Sequence, residues 1–311
     1  MLAPHTPSLA WTLGGILVLL VVASLAVWLL RRARPEADHR ELALRVRSWW
    51  IMATIFALAV ALDRTVSLVF LAFISYLALK EYFSLTPTRR ADRRVLFWAY
   101  VSIPIQYYWV WIGWYGMFII FIPVYAFLFL PLRMVTIGRT AGFLTAAGTI
   151  HWGLMTTVFS LSHAAFLLVL PRSVNPAAGG AGLLLYLVLL TQLNDVAQYV
   201  WGKALGRHRI VPAVSPGKTR EGLLGGLLTT AVLAIVLAPL LTPFGLPQAA
   251  GVGLGLSLAG FVGDITISAI KRDAGIKDSG GLIPGHGGVL DRVDSLTYTA
   301  PLFFHYVWYL Y

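Results

Sequence analysis

Ten apolar runs follow one another along this chain, at 11–30, 48–62, 65–83, 95–112, 114–132, 140–170, 181–201, 222–241, 248–270 and 295–311. A bilayer core of ~30 Å is crossed by ~20 residues of helix. Most of the runs meet that length, so they predict an all-α, polytopic integral membrane protein with about ten transmembrane helices. Composition agrees: 58% of the residues are hydrophobic and 12% are charged, about half the charged share of a soluble domain. Run 48–62 is short for a span. Run 140–170 is long, and with His151, Ser160, Ser162 and His163 inside it a bend or a partly interfacial course is expected.

The basic residues test this count. If ten helices span and the N-terminus lies outside, the segments 31–47, 80–94, 133–139, 202–221 and 271–294 face the cytoplasm. They hold 22 of the 24 Lys and Arg residues, with Arg64 and Arg172 on the other side. This obeys the positive-inside rule and places both termini on the non-cytoplasmic side. Run 11–30 reads as a retained anchor, because residues 1–10 carry no Lys or Arg and the basic cluster follows the run. Residues 31–47 fit a surface amphipathic helix or a solvated linker equally well. The net charge of +11 sits in short loops between apolar runs, which points to topology and anionic lipid and away from nucleic acid. Trp and Tyr near span ends read as an interfacial belt. The absence of cysteine excludes disulfides, thiolate metal sites and cysteine nucleophiles.

Against this apolar background a few polar groups stand out. Asp195, beside Asn194, and Asp264, after Gly263, lie inside apolar runs toward their cytoplasmic ends, where an ionisable group is costly and suggests function. The loop GKALGRHRIVPAVSPGKTREG, residues 202–222, packs Ser215, Lys218, Thr219 and Arg220 around a helix start, a chemistry suited to anions. It is not a P-loop: Pro212 stands where the first glycine belongs, and no strand precedes it.

The stretch 263–295, GDITISAIKRDAGIKDSGGLIPGHGGVLDRVDS, holds five of the thirteen carboxylates. Asp264, Ser268, Lys271 and Arg272 recur at helical spacing and share one side. Residues 275–288, glycine-rich with Pro284, form a compact loop. Asp291 and Asp294 differ by three and share a face at the start of the last helix. Asp264 and Asp291 are expected to meet if the last two runs pack side by side. Two carboxylates with cations around them suit Mg2+ shared with phosphates. His286, without cysteine or a nearby second histidine, makes a poor zinc site and reads as a phosphate donor or loop strut.

Residues Ser268 to Asp294 resemble the signature of phosphatidate cytidylyltransferases, S-x-x-K-R-x(4)-K-D-x-G-x-x-x-P-x-H-G-G-x-x-D-R-x-D. Asn194-Asp195 through Gly202-Lys203 resembles that family's D-x-x-A-Y-x-x-G-(R/K) stretch, with Gln198 in place of alanine. Ser215 to Gly222 resembles its S-P-K-K-T-W-E-G, with Gly217 and Arg220 as departures. The motifs fall in residues 181–311, a catalytic membrane region, while residues 1–180 match as a set of spans within one continuous membrane domain. The resemblance implies condensation of CTP with phosphatidate to CDP-diacylglycerol and pyrophosphate, in the inner (plasma) membrane with the active site facing the cytoplasm. It implies Asp264 and Asp291 as ligands of Mg2+, with or without a second cation. It implies catalytic roles for Lys271, Arg272, Asp278, His286 and Arg292, and substrate binding by Asp195, Ser215, Lys218, Thr219, Lys277 and Asp294. Expected partners are CTP, a lipid phosphate and membrane lipid, and a homodimer is compatible with the pattern. Another lipid or polyprenyl phosphate as substrate is the competing reading. A transporter is disfavoured because the polar groups gather on one side of the midplane.

Overall fold

The computed structural model describes residues 7–33, 36, 38–86, 88–283 and 287–311. Every apolar run becomes helix: α1 (Pro7–Ala33), α2 (Arg40–Leu62), α3 (Arg64–Leu85), α4 (Arg93–Trp111), α5 (Tyr115–Val135), α6 (Phe143–Val169), α7 (Gly179–Leu205), α8 (Arg220–Leu241) and α9 (Leu246–Asp273), then a short α10 (Leu290–Val293) and α11 (Leu296–Leu310). Among the described residues there is no strand, only two isolated bridges. Eight of these helices are long and apolar enough to cross a membrane, all but α4, α10 and α11. α4 is rich in Trp and Tyr and opens on two arginines. α11 has 15 residues, a rise of about 22 Å.

Two expectations are refined. Residues 31–47 do not form a separate surface helix: α1 runs on to Ala33 and α2 already starts at Arg40, so the apparent linker is mostly the ends of two long helices. The short run 48–62 thereby becomes a helix of 23 residues. The long run 140–170 stays one helix, α6, but widens into a π segment at Met155–Phe159 and tightens to 3-10 at Leu167–Val169. A similar π segment, Phe121–Ala126, surrounds Pro123 in α5, where a residue without an N–H cannot hold the regular ladder.

The helices that carry the motifs pack in series. α7 lies against α8, α8 against α9, and α9 against α11, which also packs on the second half of α6. α1 is the least enclosed helix and presents leucines and valines outward, as lipid contact requires. Between membrane helices there is little hydrophobic drive, so close backbone approach and buried polar bonds supply specificity. Asn194 of α7 provides both. It is fully buried, its Oδ1 accepts hydrogen bonds from Ser257 Oγ (2.5 Å) on α9 and Thr230 Oγ1 (3.1 Å) on α8, and its Nδ2 donates to the Ser257 carbonyl (3.4 Å). One side chain therefore ties three helices together a single residue before Asp195.

Replacing that amide strands two buried hydroxyls. Asn194→Ala should destabilise the detergent-solubilised protein by about 1–3 kcal/mol, read as a lower thermal midpoint. An unchanged midpoint would remove Asn194 from the helix-ordering role.

Candidate active site

The charged side chains from the motifs gather at one end of the bundle in two adjoining clusters. The first surrounds Lys218, in the loop between α7 and α8. Its Nζ lies 2.5 Å from Asp264 Oδ2 on α9 and 3.3 Å from Gln198 Oε1 on α7. It also stands within electrostatic reach of Asp195 and Asp294. Asp195 accepts from Ser295 Oγ (3.1 and 3.0 Å), Asp264 Oδ1 from Ser268 Oγ (3.2 Å), and Asp294 Oδ1 from the Ser295 amide (2.7 Å). Three carboxylates on separate segments thus share one ammonium. Burial works to lower the Lys218 pKa, but Asp264 and Asp195 outweigh it and the net shift is upward. Asp294, in the turn before α11, is pushed well above the ordinary carboxylate range by burial and then by the neighbouring Asp264 and Asp195.

Glycine decides which acid reaches this cluster. A Cβ on Gly263 would sit 2.6 Å from the Asp294 carbonyl oxygen and 3.1 Å from Ser295 Cα. Only hydrogen at that position lets the Asp294–Ser295 turn press on α9, which sets Asp294 beside Asp264. Of the two acids expected to meet, Asp264 pairs with Lys218 and Asp291 with Lys271. The backbone stays in the right-handed helical region through Asp294 (φ −53°, ψ −48°) and Ser295 (φ −65°, ψ −34°), so Asp291 and Asp294 keep their helical spacing, with Lys271 bonded to the first and within electrostatic reach of the second.

Asp291 belongs to the second cluster, where its oxygens are fully engaged. Oδ1 pairs with Lys271 Nζ (2.6 Å), and Oδ2 accepts from the Ser279 amide (2.8 Å), Ser279 Oγ (2.9 Å) and the Gly288 amide (2.9 Å). Burial would raise its pKa, but the hydrogen bonds from Lys271 and Gly288 hold it below the ordinary carboxylate value. Beside it stands Glu81, from the end of α3. Its Oε1 accepts from the Val289 amide (2.9 Å), and its Oε2 from the Leu290 amide (2.8 Å) and Ser279 Oγ (2.9 Å). The single Ser279 hydroxyl proton serves either Glu81 or Asp291, not both at once. A Cβ on Gly288 would fall 2.3 Å from both Glu81 Oε2 and Ser279 Oγ, which gives that glycine its reason. Lys271 joins the two clusters, bonded to Asp291 and within electrostatic reach of Asp294.

The remaining motif residues separate by role. Arg292 lies within electrostatic reach of Asp195, and its buried Nε has no hydrogen-bond partner among the described residues. Its carbonyl accepts from Gln192 Nε2 (3.2 Å). Arg272 points away, donating to the carbonyls of Val214 (3.1 Å) and Ile276 (2.9 Å), so it straps the 206–219 loop to the end of α9. Thr219 caps α8 by accepting from the Gly222 amide (3.1 Å). The Ser215 carbonyl accepts from the Lys218 amide (3.2 Å) in a turn that positions Lys218. Lys277 and Asp278 are exposed on the loop. His286 lies outside the described residues. Glu221 folds the loop by accepting from the Arg207 and His208 amides and pairing with His208 Nδ1 (2.6 Å).

Sequence reading missed Glu81. It lies far from the motifs, in a helix that reads as an ordinary span. Its one signal is that it is the sole acid between Asp63 and Asp92, at a span end.

A sequence profile of the cytidylyltransferase family matches residues 43–310. The uncharacterized protein YnbB of Escherichia coli K12 is 45% identical over 298 residues, covering 96% of this chain and 98% of its own length. The phosphatidate cytidylyltransferase of Haemophilus influenzae is 40% identical over 141 residues, 42% of this chain and 47% of that one. That of Staphylococcus aureus strain COL is 41% identical over 125 residues, 40% and 48%. The match to these two enzymes therefore spans about half of each.

If Glu81 holds the glycine loop from α3, Glu81→Ala should speed amide hydrogen exchange at Val289 and Leu290 by at least about tenfold, since one charge-assisted hydrogen bond is worth about 1.5–3 kcal/mol. Glu81→Gln, which keeps one acceptor, should fall between. Equal exchange in all three proteins would mean the loop does not depend on α3.

Proposed function

The chain belongs to the cytidylyltransferase family, and from that premise we propose that it condenses CTP with phosphatidate to give CDP-diacylglycerol and pyrophosphate. The observation that carries this reading is the convergence of Asp195, Asp264 and Asp294, from three segments, on Lys218, with Lys271 and the orphaned Arg292 Nε beside them. Such a place can hold polyphosphate charge and a divalent cation. The positive-inside rule sets it on the cytoplasmic side, where CTP is available. The inner (plasma) membrane is the proposed location, with phosphatidate arriving from the adjoining leaflet.

Among the described residues no three carboxylate or imidazole groups already stand as a metal cluster. The donors nonetheless fit Mg2+, which prefers oxygen and is commonly bound by one or two carboxylates with substrate phosphate. Asp264, Asp294 and Asp195 would hold it; Asp291, its oxygens committed to Lys271, Ser279 and Gly288, reads as structural. Bound there, Mg2+ would neutralise phosphate charge.

The reaction requires no protein nucleophile. A phosphatidate phosphate oxygen, already anionic, attacks the α-phosphorus of CTP; a P–O bond forms, the α–β anhydride bond breaks, and pyrophosphate leaves with the bonding pair. The task of the chain is to bring two polyanions into line and offset their repulsion. Lys271 and Arg292 are placed to contact phosphate. Lys218 neutralises the acids and is the cation that exchanges partners as charged ligands enter.

A second reading keeps the chemistry and changes the lipid phosphate. It is favoured by the half-length match to the phosphatidate enzymes, against the end-to-end match to YnbB, and by Gly217 and Arg220 in the nucleotide-side loop. One assay decides between them. Purified protein, Mg2+ and labelled CTP are incubated with phosphatidate or with other lipid and polyprenyl phosphates, and CDP-lipid and pyrophosphate are measured. Phosphatidate is expected to give product; product only with another lipid selects the second reading, and none with any lipid, from folded protein, rejects both.

Asp264→Asn and Asp294→Asn should each lower kcat by on the order of 10²–10³-fold and raise the Mg2+ concentration for half-maximal rate, with helical content unchanged. Asp291→Asn should instead lower the thermal midpoint first, because an amide nitrogen would oppose Lys271 or two backbone N–H groups. A normal midpoint together with a collapsed Mg2+ response would return Asp291 to the metal site.

A further inference from the structure

Away from this site, a cleft of about 590 Å3 opens between the first turn of α4 and the last turn of α5. Arg93, Arg94 and Arg133 line it, with Val95 and Ile137 as apolar floor and Thr136 at the rim. No residue of the candidate active site lines it. We propose that this cleft binds the phosphate of an anionic phospholipid head group.

Four observations support an anion site over charge that merely sets topology. First, the arginines lack counter-charge. Arg93 and Arg94 have no ion-pair or hydrogen-bond partner among the described residues, and Arg133 Nη1 reaches only Thr136 Oγ1 (3.1 Å). Second, Arg93 and Arg94 stand in the first turn of α4, which contains no acid of its own. Cations at the positive end of a helix dipole are unfavourable unless an anion joins them. Third, the scaffold is fixed. Asp92, fully buried, is held by Arg89 (2.6 and 3.0 Å), and Arg89 Nη1 donates across to the Arg139 (3.1 Å) and Ala141 (2.6 Å) carbonyls, locking the segment before α4 to the segment after α5. The acid that could have neutralised the cleft is thereby committed elsewhere. Fourth, the large exposed apolar side chains Phe97 and Leu132 lie on the membrane side of the arginines, within about a turn. Arginines at a head-group level with apolar side chains directly below match a phospholipid, whose phosphate and acyl chains have the same order. A soluble phosphate would make no use of that apolar border.

The proposal is independent of the catalytic reading, and its test uses no turnover. The full-length protein is purified and exchanged into nanodiscs of phosphatidylcholine alone or with phosphatidylglycerol. Lipid co-retained after extraction is counted by native mass spectrometry, with inorganic phosphate added in a parallel arm. Phosphatidylglycerol should be retained over phosphatidylcholine, and millimolar phosphate should not displace it. Arg93→Gln, Arg94→Gln and Arg133→Gln should each weaken retention about fivefold, and the triple variant on the order of 100-fold. Arg64→Gln, a basic residue outside the cleft, should change nothing. If the triple variant does not fold, the single exposed substitution Arg94→Gln carries the test. Retention unchanged in Arg94→Gln and the other variants overturns the site, and displacement by phosphate with no lipid preference assigns it to a soluble anion and overturns the lipid.

Discussion

The Lys218–Asp264 ion pair is the interaction on which the charged end of this protein depends. Asp195, Asp264 and Asp294 approach one another at the edge of an apolar bundle, where like charges repel. One ammonium among them makes the arrangement tolerable. The backbone supports the same end: Arg272 holds the Val214 carbonyl, Thr219 caps α8, and Glu221 gathers the Arg207 and His208 amides. The 206–219 loop is thus a lever that carries one cation into place. A place where three acids share one lysine is also one where an arriving divalent cation or phosphate changes the partners of every group at once.

The second dependence is steric. Membrane helices gain specificity from close approach and from polar bonds made inside the bundle. Gly263 permits the Asp294–Ser295 turn to touch α9, and Gly288 permits Glu81 to reach two backbone amides. Both glycines remove a methyl group at the point where one segment must press on another. Asn194 acts alongside them, pinning α7 to α8 and α9 one residue before Asp195. The acids are placed by these contacts as much as by their position in the motifs. The link through Glu81 also draws α3, from the first part of the chain, into the wall of a site whose other parts come from residues beyond 190.

Much of this was legible in the residues. The ten runs became helices because an apolar run near twenty residues long has few alternatives in lipid. Asp195 and Asp264 announced themselves by being charged inside apolar helix, and both stand at the Lys218 cluster. What periodicity left open was which lysine each acid would meet. Asp291 and Asp294, three apart on a backbone that stays helical through Ser295, take different partners, Asp291 the Lys271 ammonium and Asp294 the surroundings of Asp264 and Lys218. Arg272 and Thr219, whose chemistry suits phosphate, also hold two carbonyls and a helix cap in the fold. Glu81 carried almost no signal, since an acid at a span end reads as ordinary interfacial charge.

The sequence by itself determined the class of protein, the helix inventory and the set of charged residues available for chemistry. It could do so because hydrophobic length, charge bias and residue type are local properties. Only the tertiary structure decided which acids meet, that the buried Arg292 Nε is left without a hydrogen-bond partner among the described residues, and that α3 reaches the glycine loop. Those outcomes rest on contacts between segments up to 209 residues apart, set by where a glycine lets two backbones touch. No local pattern encodes that distance.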